Sequence, residues 1–146
     1  MKTVLAFGCF DILHFGHLRY LQKAKALGSR LIVVVARDKT AKLIKGRRPF
    51  FDEKARLAMI SSLRPVSKAL LGHEGGAKYA IISEIRPDII ALGYDQREDD
   101  ARLRQWLDAN GLEKTKIVRI RHAENAEVYK SSKALARLKK CVMKEL

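Results

Sequence analysis

Residues 4–28 read VLAFGCFDILHFGHLRYLQKAKALG, and this stretch decides the fold. It opens with an apolar run that predicts a buried strand. It closes with an amphipathic pattern that predicts a helix ending at Gly28. His14 and His17 therefore lie at the turn between strand and helix, and their spacing places both rings on one face of the first helical turn.

The beginning of this helix favours an anion. A helix N-terminus offers unpaired N–H groups and the positive end of the helix dipole, and Gly16 would let an anion approach the backbone closely. A metal pair or two structural histidines are the alternatives, but a metal would need more ligands than nearby Cys9 and Asp11 supply. We therefore predict that the two imidazoles bind a polyphosphate.

Length and composition indicate one domain, residues 1–146, that is large enough for a hydrophobic core. No apolar run approaches the roughly 20 residues that cross a bilayer. Gly8 and Asp11 interrupt the only segment that could resemble a signal peptide. Cys9 and Cys141 are too few and too far apart for a disulfide framework, so we expect a cytoplasmic protein.

The net charge is +14, so nucleic acid binding has to be weighed. Residues 37–48 hold six basic residues and one acid, and residues 114–144 hold ten basic residues and two glutamates. Aromatic residues do not interleave with these runs as a base-stacking surface would require. A nucleic-acid-binding protein is therefore the lower-ranked hypothesis, and phosphorylated substrates account better for the first cluster.

Strand and helix patterns alternate along the chain. The further predicted strands are residues 31–36, 66–71, 88–92 and 116–120, and the further predicted helices are residues 52–63, 77–85, 98–110 and 131–144. This alternation predicts an α/β protein with a single Rossmann-like doubly wound domain and a mostly parallel five-stranded sheet. Ligands bind at the carboxyl ends of the strands in such a fold.

Three polar segments follow predicted strands and should lie at that edge. The first is a basic loop, residues 37–49, whose lysines could follow phosphate oxygens or be merely solvated. The second, residues 93–96, offers a glycine and polar groups to a base or ribose, or forms a plain turn. The third begins the last helix with two serines and a lysine, which make another anion cradle.

The motif G-x-F-D-x-L-H-x-G-H, at residues 8–17, resembles the H-x-G-H signature of the nucleotidylyltransferases. In this form it is similar to the cytidylyltransferase-like branch, which includes glycerol-3-phosphate cytidylyltransferases and archaeal FAD synthases. The segments that look most like the archaeal FAD synthases are VVARD at 34–38, ALGYDQ at 91–96 and SSK at 131–133. The resemblance runs from residue 1 to about residue 140.

This resemblance implies that the chain transfers AMP from ATP to FMN, giving FAD and pyrophosphate. Transfer of CMP from CTP to glycerol 3-phosphate is the alternative. A divalent metal, Mg²⁺, is expected to bridge the phosphates, with Asp11 near enough to orient its waters. We expect no membrane partner, and a homodimer stays open.

The resemblance also implies roles for individual residues. The expected catalytic residues are His14, His17 and Lys45. The expected nucleotide-binding residues are Gly8, Cys9, Phe10, Asp11, His14, His17, Gly93, Tyr94, Asp95, Ser131 and Ser132. The expected phosphate- or acceptor-binding residues are Lys42, Lys45, Arg56, Arg119, Arg121 and Lys133. Arg56 could instead pair with Asp52 or Glu53, and either Arg119 or Arg121 could take the role of the family's arginine.

Overall fold

Five strands form one sheet in the computed structural model, which describes residues 1–76, 79–121 and 131–145. The strands are β1 (Thr3–Gly8), β2 (Arg30–Val35), β3 (Lys68–Leu71), β4 (Ile89–Gly93) and β5 (Lys116–Ile120). Their order is β3-β2-β1-β4-β5, and every neighbouring pair is parallel. The predicted Rossmann-like α/β fold is therefore confirmed, with a sheet that is parallel throughout.

Helices cover both faces of this sheet. They are α1 (Phe15–Ala26), α2 (Asp38–Lys45), α3 (Glu53–Ser61), α4 (Ala80–Ile85), α5 (Asp100–Ala109) and α6 (Ser131–Glu145). Val4 and Leu5 are adjacent on β1 and fully buried, and they belong to separate core clusters because side chains alternate across a strand. Leu21 of α1 packs in the cluster of Val4, and Leu103 of α5 packs in that of Leu5. No helix among the described residues is long and apolar enough to cross a membrane.

The basic segment after β2 is a helix, so its prediction as a loop was wrong. Asp38 in the first turn of α2 suits the helix dipole, and Gly46 ends the helix with a left-handed φ of 74°. Leu43 and Ile44 are 86% and 69% exposed, and Ala41 is the buried apolar residue of this short helix. Three apolar residues in an eight-residue segment are too few to establish a helical period from the sequence, so the segment was predicted as a loop.

The strand order creates a switch point beside β1. The chain leaves β1 in the middle of the sheet, with β2 on one side and β4 on the other. The carboxyl ends of these three strands meet at one edge, where an open parallel sheet forms its ligand crevice. The H-x-G-H turn therefore occupies the centre of that crevice, between α2 and the segment after β4.

Candidate active site

His14 and His17 form a reciprocal cap at the beginning of α1. The Gly16 N–H donates to His14 Nδ1 at 3.1 Å, and the His14 N–H donates to His17 Nδ1 at 3.3 Å. The two rings stack with their centroids 3.7 Å apart. The N–H of Gly16 is therefore used by the cap, and the expected close approach of an anion to the backbone at this glycine stays a prediction.

This cap fixes which ring nitrogen carries the proton. Because Nδ1 of each ring accepts a hydrogen bond, a neutral ring must hold its proton on Nε2. Burial, helped by His14 and then Lys45, lowers the pKa of His17 to about 3. Burial and then Lys45 also lower the pKa of His14. Both rings are therefore neutral at pH 7, and each can offer one Nε2–H donor to a ligand.

Phe10 supports the histidines from the protein interior. It is 3% exposed, and its ring meets His17 edge-on with centroids 5.3 Å apart. Its φ of 51° turns the ring back over Gly8, where a Cβ atom would lie 2.6 Å from the ring. The side chain of Phe10 therefore packs internally and requires a glycine at position 8, and the expected nucleotide contacts of both residues stay predictions.

Arg56 is buried and does not line the crevice. Its side chain is fully inaccessible. It donates to Cys9 O at 2.7 Å, Ala36 O at 2.8 Å, Phe51 O at 3.0 Å and Asp38 Oδ1 at 2.7 Å. The expected contact with an acceptor phosphate was wrong because the guanidinium joins these chain segments internally. Its ion-pair partner is Asp38 instead of Asp52 or Glu53.

Asp11 anchors the segment that follows α2. It is fully buried. Its Oδ1 accepts the N–H groups of Phe50 at 2.7 Å and Phe51 at 3.1 Å, and its Oδ2 lies 3.4 Å from Arg47 Nη1. These contacts give Asp11 an internal structural role, and the expectation that it orients the waters of a metal ion stays a prediction.

The described residues do not build a metal site of their own. They contain no group of three His, Cys, Asp or Glu side chains that could hold a metal ion. Magnesium commonly binds through substrate phosphates with few protein ligands. The Mg²⁺ ion that we expect to bridge the substrate phosphates stays a prediction.

Lys45 brings positive charge to the histidine pair. It is the last residue of α2, and its charge lowers the pKa values of His14 and His17. The neighbouring Cys9 thiol is half-buried, and that burial raises its pKa. Lys42 lies one turn before Lys45 on α2, and both lysines are exposed. The structure thus brings the expected catalytic residues together.

The loop at residues 93–96, which we call the nucleotide loop after its predicted role, follows β4 on the other side of β1 from α2. The Gln96 side chain donates to Phe7 O at 2.6 Å and accepts from Gly93 N at 3.2 Å, which ties the loop to β1. Asp95 is exposed, and its charge acts on His14, raising that pKa against the larger effect of burial. Tyr94 is 38% exposed on the same loop.

Arg119 holds this loop in place. Its Nη1 donates to Gly93 O at 2.8 Å and to Gln96 O at 2.7 Å, and it forms an ion pair with Asp100 at 2.7 Å. In the structure its guanidinium is directed at loop carbonyls, and its expected contact with phosphate stays a prediction. Arg121, the residue that follows β5, is exposed.

The third expected segment is described only in part. Ser132 and Lys133 are exposed in the first turn of α6. The side chain of Ser131 and residues 122–130 lie outside the described residues, and with them the expected serine cap. The anion cradle expected here stays a prediction.

Sequence analysis missed Arg47 and Phe50 as members of this region. Both reach the H-x-G-H turn through Asp11, from 36 and 39 residues further along the chain. In the sequence, Arg47 could be noticed only as a member of the basic segment, and no pattern indicated Phe50.

These features lie at the carboxyl edge of a parallel α/β sheet, where we predicted the site, and comparison with known proteins assigns the family. The chain belongs to the cytidylyltransferase-like family, whose model matches residues 5–137.

Individual relatives extend over most of the chain. An FAD synthase of Thermoplasma volcanium is 52% identical over 120 residues, covering 82% of each chain. An FAD synthase of Archaeoglobus profundus is 44% identical over 138 residues, covering 94% of this chain and 86% of the relative. A crystal structure from Thermoplasma volcanium, described as a lipopolysaccharide core biosynthesis protein, superimposes with a TM-score of 0.79. It is 50% identical and covers 84% of this chain and 98% of that one.

Proposed function

We propose that this protein is an FAD synthase, which transfers AMP from ATP to the phosphate of FMN and releases pyrophosphate. The observation that carries the proposal is the capped pair His14 and His17, neutral and beside Lys45, in a cytidylyltransferase-like crevice. The choice of substrates rests on relatives named FAD synthase at 52% and 44% identity.

The reaction needs no nucleophile from the protein. A phosphate oxygen of FMN attacks the α-phosphorus of ATP, and the bond from that phosphorus to the bridging oxygen breaks. Pyrophosphate leaves with the electron pair. Because a phosphate monoester is already anionic, the protein contributes mainly positioning and stabilisation of the charge that develops on the phosphoryl oxygens.

Different residues of the crevice provide this positioning and charge stabilisation. His14 and His17 donate their Nε2–H groups to oxygens of the triphosphate, and their fixed tautomers mean that these donors need no reorganisation during transfer. Lys45, assisted by Lys42, places charge beside the same oxygens. The serines and Lys133 at the beginning of α6 hold the departing pyrophosphate, and the nucleotide loop takes the adenosine.

ATP enters as its magnesium complex in this proposal. The cation is part of the substrate, since the described residues offer no metal-binding cluster of their own. No step assigned to the protein passes through the cation.

The proposal is tested with a substrate panel. Purified protein is given ATP or CTP with FMN or glycerol 3-phosphate, and pyrophosphate release and products are measured together. We expect pyrophosphate and FAD with ATP and FMN. His14→Ala should lose this activity, and Arg19→Ala is its matched control because Arg19 is exposed on the same helix, five residues after His14. CDP-glycerol from CTP, with no FAD, would contradict the proposal.

We further propose that the enzyme is cytoplasmic and homodimeric. Cys9 and Cys141 are both free, which suits a reducing compartment. Leu138, Val142 and Met143 of α6 are each more than half exposed, as a helix covered by a second copy would be. Sedimentation measures the mass of the wild type and of Leu138→Asp. The wild type should sediment as a dimer and Leu138→Asp as a monomer. Equal masses for the two proteins would contradict a dimer formed through α6.

A further inference from the structure

Phe50 is an aromatic side chain held in an exposed position beside the H-x-G-H turn. It is 72% exposed, yet its N–H donates to the buried Asp11 carboxylate at 2.7 Å. Its ring meets Phe51 edge-on, with centroids 5.0 Å apart and an interplanar angle of 86°. A single exposed phenylalanine is common on protein surfaces. Here, however, the backbone is fixed by Asp11 while the side chain stays largely exposed, so burial does not explain its position.

A cation shares the same anchor. Arg47 Nη1 lies 3.4 Å from the second oxygen of Asp11, and the Arg47 side chain is 47% exposed. One carboxylate therefore holds an arginine and the backbone of an aromatic residue close together. A ligand that fits this pair carries an anionic group and a flat ring.

The topology assigns this pair to one side of the crevice. Phe50 and Arg47 belong to the segment between α2 and α3, which follows β2. The nucleotide loop follows β4, on the opposite side of β1. If the adenosine of ATP occupies the β4 side, the acceptor has to approach the histidines from the β2 side.

Resting on the proposed function, we propose that Phe50 stacks on the isoalloxazine ring of FMN while Arg47 binds the FMN phosphate. Flat aromatic ligands gain from offset stacking on a phenylalanine that is already held in place. The guanidinium can bind a phosphate oxygen with the N–H groups it does not direct at Asp11. Phe50 would then select a ring-bearing acceptor over glycerol 3-phosphate, which has no ring to stack.

The test compares Phe50→Ala and Phe50→Trp with the wild type. FMN binding is followed by quenching of flavin fluorescence, and KM is measured separately for FMN and ATP. We expect Phe50→Ala to raise the Kd and KM for FMN about tenfold, with KM for ATP unchanged, because one stacking contact is lost. Phe50→Trp should restore binding and quench the flavin at least as strongly.

Leu43→Ala is the matched control. Leu43 is an exposed apolar residue of α2, and it lies two positions before Lys45 and so on the other side of that helix. It should leave FMN binding unchanged. Thermal unfolding of each variant checks that Phe50→Ala has kept the fold.

The outcomes separate the inference from the proposed function. If the wild type makes FAD but Phe50→Ala binds FMN equally well, the stacking inference is wrong and the function stands. A rise in KM for ATP alone would move Phe50 to the adenine and overturn the inference as well. If the wild type neither binds nor converts FMN, the proposed function fails, and the inference fails with it.

Discussion

Replacing Arg56 with alanine would remove the guanidinium that joins the ends of β1 and β2 to the beginnings of α2 and α3. Three backbone carbonyls and the Asp38 carboxylate would lose their donor. The side chain is fully buried, so its removal also leaves an internal void. The expected result is a loss of stability, with no direct effect on the binding of either substrate.

The size of this loss follows from burial. Removing one partner of a buried ion pair costs about 3–5 kcal/mol. The Asp38 side chain is 35% exposed, so water can solvate part of the orphaned carboxylate, and the lower end of about 3 kcal/mol applies. For a chain of this size each kcal/mol lowers Tm by about 2–4 °C, which predicts a decrease of about 10 °C.

Thermal unfolding followed by circular dichroism measures this decrease. Arg19→Ala changes the net charge equally at an exposed position and should leave Tm nearly unchanged. The reasoning would be refuted if Arg56→Ala unfolded at the wild-type temperature while KM for FMN rose. Arg56 would then act on the acceptor, as the sequence first suggested.

Three further predictions concern the crevice itself. His14→Ala and His17→Ala should each lower kcat about 100-fold without unfolding the protein, because each removes a preorganised donor; near-wild-type turnover in both would exclude the mechanism. Lys45→Ala and Lys133→Ala should weaken calorimetric binding of ATP more than of adenosine, which lacks phosphates, and equal losses would remove their assigned role. The pKa of His17 lies near 3 in the folded protein and near 6.5 in the unfolded chain, so the unfolded state binds more protons between these values. The free energy of unfolding should therefore fall as pH drops from 6.5 toward 3, by up to about 1.4 kcal/mol per pH unit from this group. His17→Asn should flatten that dependence, and identical slopes in the two proteins would contradict the assigned pKa.

Local patterns in the sequence were sufficient to predict the fold and the centre of the site. The apolar run of β1, the glycine after α1 and the spacing of His14 and His17 are all contained in residues 4–28. Such signals depend on neighbours within a few positions, so they could be read without tertiary information. The alternation of later strands and helices then determined a parallel sheet and the edge at which ligands bind.

The roles of the charged residues could not be obtained in the same way. Arg56, Asp11 and Arg119 all belong to motif-like positions, but their partners lie many residues away along the chain. A buried arginine and a phosphate-binding arginine look the same in a sequence, because only the fold determines which acceptors it meets. The helix α2 escaped prediction for a different reason, since it is only eight residues long and has too few apolar residues to establish a helical period in the sequence.

The fate of the α-phosphorus of ATP tests the central claim most directly. The protein is incubated with magnesium, FMN and ATP labelled at the α-phosphate, in parallel with ATP labelled at the γ-phosphate, and the products are separated by chromatography. The α-label should appear in FAD and the γ-label in pyrophosphate, with both transfers strongly reduced in His14→Ala. If the α-label never enters a flavin product, or appears instead as free AMP while FMN is unchanged, the protein is not an FMN adenylyltransferase.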